Sequence, residues 1–254
     1  MSTIKRLKIL LGALILSAGP SLMADEGPLR IVTEELPPYN MTRQGQITGF
    51  STEVIQAVLS RIGMQGHFQS MPWARAYDIA LSNENVLIYS IARIPEREQR
   101  FKWVGVIAPS RWGLFSLKSR NLSFTQLNDA QRYQIATVNG DVGQQYLQSK
   151  GFEMGRNLQS SNTHEQNYLK LRSGRVDLWI ANEVMARYLV RQGGEDPAKV
   201  IESVYPVKEL DLGEGLYMAF GVKTADVLVK RFQDGLAAIH ADGTYAALVK
   251  KWLQ

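Results

Sequence analysis

Cysteine is absent from this chain of 254 residues, and histidine occurs three times. The first absence excludes disulfide frameworks, thiolate metal sites, iron–sulfur ligation, cysteine nucleophiles and lipid attachment through an N-terminal cysteine. The histidines, His67, His164 and His240, stand apart, and the stretch from His164 to Tyr168 lacks the second histidine of a zinc helix. No GxSxG, phosphate-binding loop or dinucleotide fingerprint occurs either, so catalytic, metal and cofactor chemistry are not expected. With 45% hydrophobic and 21% charged residues, the chain can bury a sizeable core and does not have a disordered composition.

Long apolar runs are also scarce. Residues 1–24 read MSTIKRLKILLGALILSAGPSLMA, a basic stretch, an apolar run from Ile9 to Leu16, then small and helix-breaking residues. This is the layout of a cleavable secretory signal peptide, and the run is too short for the ~30 Å hydrocarbon core of a bilayer. Cleavage is expected after Ala24. Lys5, Arg6 and Lys8 account for three of the five excess positive charges, so the mature chain is nearly neutral and nucleic acid is not an expected partner. The expected product is an exported periplasmic protein with no membrane insertion, released rather than held by a lipidated cysteine.

Strand-like and helix-like stretches alternate along the mature chain, the pattern of α/β architecture. LRIVT at 29–33 reads as a strand, Pro37-Pro38 as a turn and Gln44-Gly45-Gln46 as a hairpin. Phe50, Val54, Ile55, Val58, Leu59 and Ile62 recur at helical spacing, with Ser51 as N-cap and Gly63 as the stop. A strand at 67–70, a helix with Pro72 in its first turn and a buried strand at 86–92 follow. Further on, strands are expected at 134–138, 176–181 and 216–222, and helices at 141–149, 164–173, 183–192, 224–240 and 244–253. The organisation suggests two α/β lobes, the second inserted into the first.

Five segments, in this order, carry a likeness: TEELPPYN, GQITGFSTEVIQAVLSRIG, SIARIPEREQRFKWVG, LRSGRVDLWIANE and FQDGLAAIHADGTYAALVKKWL. Together they resemble the bacterial family 3 extracellular solute-binding proteins, in a branch marked by PWARAY and RIPERE. The resemblance implies a type II periplasmic-binding-protein fold, two lobes joined by two crossing strands. Lobe one would comprise 25–109 and 207–254, lobe two 110–206, with crossings near Ala108 to Trp112 and Tyr205 to Leu210. It also implies a hinged receptor that takes up a small polar, carboxylate-bearing solute by lobe closure, for an ABC permease or a membrane sensor, and acts as a monomer.

By the same resemblance, Arg97 grips a ligand carboxylate; a planar guanidinium fork suits that group, and such bonds are worth ~1.5–3 kcal/mol each once desolvated. Ser90 adds a hydroxyl there. Tyr39 and Trp73 offer aromatic faces, and Glu34, with Glu35 as its neighbour, meets an amine or side chain. Three positions depart from the family pattern: Ala92 replaces a hydroxyl residue, Val142 a threonine, and Asn182 the acid that pairs with an ammonium. A carboxylate is therefore favoured and the amine is not secured. The competing reading is a cyclohexadienyl or arogenate dehydratase-like enzyme on the same fold, with Glu183 or Glu34 as the acid.

Overall fold

The structure, a computed structural model, describes residues 29–211 and 215–253; the expected signal peptide lies outside them. Among the described residues no helix is long and apolar enough to cross a membrane. The first half of the chain runs β1 (Leu29–Thr33), a hairpin of β2 (Met41–Arg43) and β3 (Gln46–Thr48), α1 (Phe50–Ile62), β4 (Gly66–Ser70), α2 (Trp73–Ser82), β5 (Val86–Ala92), α3 (Pro95–Glu98) and β6 (Phe101–Ala108). It continues with β7 (Trp112–Leu117), β8 (Ile135–Val138), α4 (Val142–Ser149), β9 (Leu158–Ser161), α5 (His164–Arg172), β10 (Leu178–Asn182), α6 (Glu183–Gln192), α7 (Pro197–Val200) and β11 (Ile201–Pro206). The chain closes with β12 (Leu216–Gly221), α8 (Asp226–Ala241) and α9 (Thr244–Trp252).

Two five-stranded sheets form two lobes, in the orders β4-β1-β5-β12-β6 and β11-β7-β10-β8-β9. In the first, β1 pairs in parallel with β4 and β5, while β12 runs antiparallel to β5 and β6. Every residue of β5 is buried, which is why VLIYSIA shows no alternation: both faces of a central strand are covered. Helix α1 buries Val54, Ile55, Val58 and Leu59, and α8 buries Leu228, Phe232, Leu236 and Ile239. These side chains share one apolar core with β1, β5 and β12. Burying a residue such as Phe232 contributes roughly 1.5–3 kcal/mol.

Helix α1 ends as expected, with Gly63 left-handed at φ 64°. Its start differs: the cap is Gly49, and the Ser51 hydroxyl is buried without a partner. The reason lies in the Pro37-Pro38 turn, whose carbonyls at Pro38 and Tyr39 accept from the amides of Phe50 and Ser51 at 2.9 and 2.8 Å. A side-chain cap is therefore redundant. Gly49 takes φ 118°, and a Cβ there would meet the same two carbonyl oxygens at 2.6 Å. Pro72, expected in the first turn of α2, is its N-cap residue instead.

The chain leaves the first sheet after Ala108, enters the second at Trp112, leaves it after Pro206 and returns at Leu216. The two connections are tied together. Val207 donates its amide to Trp112 O at 2.9 Å, and the Trp112 amide donates to the Asp211 carboxylate at 2.9 Å.

Candidate functional site

The parallel strands β1, β4 and β5 end on one side of the first sheet, and the segments that follow them converge there: Glu34 after β1, Trp73 after β4, Ser90 and Ala92 at the end of β5, and Arg97 in α3. This is where open α/β sheets gather ligand-binding groups. Facing them from the second sheet are Trp112 at the start of β7, and Asp141 and Val142 where β8 turns into α4. Glycine at 143 lets that turn settle on β10, since a Cβ would meet Ile180 at 2.9 Å. Together with Leu36 and Leu216 these side chains enclose a cavity of ≈20 Å³, room for about one water. The lobes are shut on it: Trp73 Nε1 donates to Gly140 O across the cleft at 2.9 Å.

Arg97 is 1% exposed and lies over both the Trp73 and Tyr77 rings, its guanidinium carbon 5.0 and 5.2 Å from their centroids. It donates to Ala92 O at 3.2 Å and to Gln145 Oε1 at 3.1 Å, while its Nε–H has no partner. Burial pulls it down to about 10, which leaves it charged at neutral pH. Asp141 caps α4, one carboxylate oxygen accepting from the Gln144 amide at 2.7 Å and the other buried without a donor. Burial pushes its carboxyl up to about 7, against the pull of the Gln144 amide and Arg97. The Glu34 carboxyl is held well above its usual range by burial and by the charge of Asp141, with Arg97 acting the other way.

Ser90 lines this cavity with a left-handed backbone, φ 60°, inside a strand. The pairing of β5 with β12 slips there, Tyr89 facing Met218 and Ile91 facing Tyr217, so Ser90 is the extra residue of a bulge. Its hydroxyl donates to Asn40 Oδ1 at 2.6 Å. Such backbone costs about 1–3 kcal/mol and persists where the surroundings enforce it.

Of the eight residues expected at a site, Glu34, Trp73, Ser90, Ala92, Arg97 and Val142 stand around the cavity. Tyr39 and Asn182 do not, and each has a structural reason. The Tyr39 hydroxyl donates to Pro109 O at 2.8 Å, and Asn182 caps α6 through the Met185 amide while its NH₂ donates to Ser110 at 2.9 Å. Both therefore brace the connection between the lobes. Glu183 is also elsewhere, paired with Arg187 at 2.9 Å in a groove of about 670 Å³ lined by Arg111, Arg191, Trp252 and Leu253. His164 is a core residue that burial keeps neutral, down to about 3, whereas His67 and His240 are exposed. Sequence reasoning missed Asp141 and Trp112 as cavity residues. A turn of the form Asn139-Gly140-Asp141 before an apolar helix start marks Asp141 as a cap, but which wall it faces depends on the second lobe.

The sequence model of the bacterial extracellular solute-binding proteins, family 3, matches residues 29–254. A probable histidine-binding protein of Campylobacter jejuni is 23% identical over 218 residues, covering 85% of this chain and 80% of the relative. The L-cystine-binding protein TcyJ of Escherichia coli K12 is 22% identical, covering 94% and 92%. Among solved structures, an ancestral arginine-binding protein bound to arginine superposes with a TM-score of 0.77 at 20% identity, over 90% of this chain and 99% of that one. A histidine kinase sensor domain similar to periplasmic binding proteins also gives 0.77, at 19% identity, over 89% and 96%. These structural likenesses show the fold.

Proposed function

We propose, for a chain that belongs to the bacterial extracellular solute-binding proteins of family 3, that it captures a small carboxylate-bearing, amino-acid-like solute between its lobes and presents it to an ABC permease or a sensor in the periplasm. The observation that carries this reading is Arg97, buried in a cavity walled by both sheets, with one N–H unspent. The relatives named for histidine and cystine binding support it. Lobe one is taken as 25–109 with 207–254 and lobe two as 110–206, so that the crossings near Ala108 to Trp112 and Tyr205 to Leu210 act as the hinge.

A cavity that holds about one water admits no amino acid, so the solute enters by parting the lobes and breaking the Trp73–Gly140 bond. A solute that touches both walls then favours the shut arrangement, because only differential affinity moves such an equilibrium. The test is a thermal-shift screen of the protein against amino acids, dicarboxylates, keto acids and polyamines, followed by calorimetry of Arg97→Ala. A solute at a hundred times its Kd adds ~2.7 kcal/mol of stability. Unchanged affinity for that solute in the variant removes the role of Arg97.

One observation favours the catalytic alternative: burial raises the Glu34 carboxyl in the same cavity as Arg97, the direction an acid catalyst requires. Glu183 stands outside this cavity, paired with Arg187. Phenylpyruvate formed from prephenate would establish an enzyme; none at high protein concentration leaves the receptor.

A further inference from the structure

The cavity contains three ionisable groups, each with bonding capacity left over. Arg97 keeps a free Nε–H, and Asp141 keeps one buried carboxylate oxygen without a donor. The Glu34 side chain makes no hydrogen bond among the described residues, where its backbone carbonyl accepts from Asn40. Arg97 spends its two other nitrogens on Ala92 O and Gln145, so it forms no ion pair with either acid. A buried charge without a partner is costly, and a ligand that fills this space has to answer all three.

Resting on the reading of the cleft as a carboxylate-solute site, we propose that Asp141 selects the charge of the solute: it pairs with a cationic group from the second lobe while Glu34 pairs with another from the first, so that the ligand is a cationic amino-acid-like molecule with one carboxylate and two basic groups. The charge balance carries this. Two acids against one guanidinium leave one negative charge in excess, which a solute of net charge +1 cancels. A dicarboxylate sets like charges against Glu34 and Asp141. A polyamine leaves Arg97 unanswered. The Trp73 and Trp112 rings, one on each side of the cavity, are compatible with a cation and supply apolar area.

The placement of Asp141 makes the selection a property of closure. Its first oxygen is fixed by the Gln144 amide, and from the second lobe it faces the first across the cavity. The charged groups that face it are Glu34 and Arg97, and Glu35 acts on Glu34 from the side. Burial drives both acids toward their neutral forms. A cation therefore restores charges that closure otherwise suppresses.

Calorimetry of the wild-type protein and Asp141→Asn with L-arginine, L-citrulline and L-glutamate tests this. Arginine and citrulline share a shape and differ by one charge. Asparagine caps helices as well as aspartate, so α4 is retained, and Asp141→Ser provides a second cap-competent variant. The expected result is a wild-type preference for arginine over citrulline of about tenfold or more, and a loss of about tenfold or more in arginine affinity in both variants, with citrulline little changed. Equal wild-type affinities for arginine and citrulline, or arginine affinity unchanged by both substitutions, overturns the role of Asp141. Tight binding of glutamate alone overturns the charge class and leaves the carboxylate-receptor reading standing. If the wild type binds no amino acid, dicarboxylate, keto acid or polyamine, both readings fall.

Discussion

The two lobes leave space between them in two places, and the two differ in every respect that matters for binding. One is the shut cavity of ≈20 Å³ with two acids and one arginine buried in its wall. The other is the groove of about 670 Å³ near the connection between the lobes, with Arg111, Arg187 and Arg191 in solvent around Glu183. Size points to the groove and physical chemistry to the cavity. Charges in water are screened and individually worth ~0–1 kcal/mol, whereas desolvated ones dictate what can sit beside them. The smaller space is the proposed binding site because its groups have been stripped of water and left incompletely bonded.

The contrast breaks most sharply at arginine. Arg97→Ala is expected to cost a carboxylate ligand about 3 kcal/mol or more, over a hundredfold in Kd by calorimetry. Equal losses from Arg97→Ala and Arg187→Ala would erase the distinction between the two spaces.

Protons come next. Burial between the lobes raises Asp141 from 3.8 to about 7, and Glu34 is raised as well. Groups raised on closure favour the shut state fully below their solvated values and lose that contribution as pH rises through their buried ones. Raising the pH from about 5 to 8 should therefore loosen the empty cleft by on the order of a few kcal/mol. The readout is tryptophan emission from Trp73 and Trp112, and a flat profile, or tightening, contradicts it.

A milder perturbation is Trp73→Phe, which keeps most of the ring and removes the bond to Gly140. The expected cost to the shut state is about 0.5–1.5 kcal/mol, seen as a larger radius of gyration of the empty protein by small-angle scattering. The smallest effect belongs to the groove. Arg187→Ala removes a half-exposed i,i+4 pair with Glu183 and should change stability by ~0.5 kcal/mol or less in urea titration. A larger loss would mean that the groove carries buried charge after all.

Much of the first lobe was legible because its signals are local. The 3.6-residue recurrence from Phe50 to Ile62 and the unbroken apolar run from Val86 to Ala92 require no partner to be read. Strands β6, β7 and β11 were not read. Gly105, Gly113 and mixed burial in β6 and β11 break both periodicities, and these segments become strands by pairing with β12, β7 and β10. The N-cap at Ser51 failed because the amides of α1 were satisfied by carbonyls from a turn outside the helix. Of the residues expected from the resemblance, Arg97, Glu34 and Trp73 stand around the cavity, while Tyr39 and Asn182 stand at the connection between the lobes.

By itself the sequence determined the absence of sulfur chemistry, the α/β alternation and the family, because composition, periodicity and motif order are properties of the chain alone. The tertiary structure decided that Asp141 faces Glu34 and Arg97, that Ser90 bulges into the cavity, and that Tyr39 and Asn182 brace the connection instead. The Ser90 bulge comes from the slipped pairing of β5 with β12, and the other outcomes depend on how the two sheets are set against one another. Burial, which decides the charge of an acid, comes into being only when the second lobe covers the first.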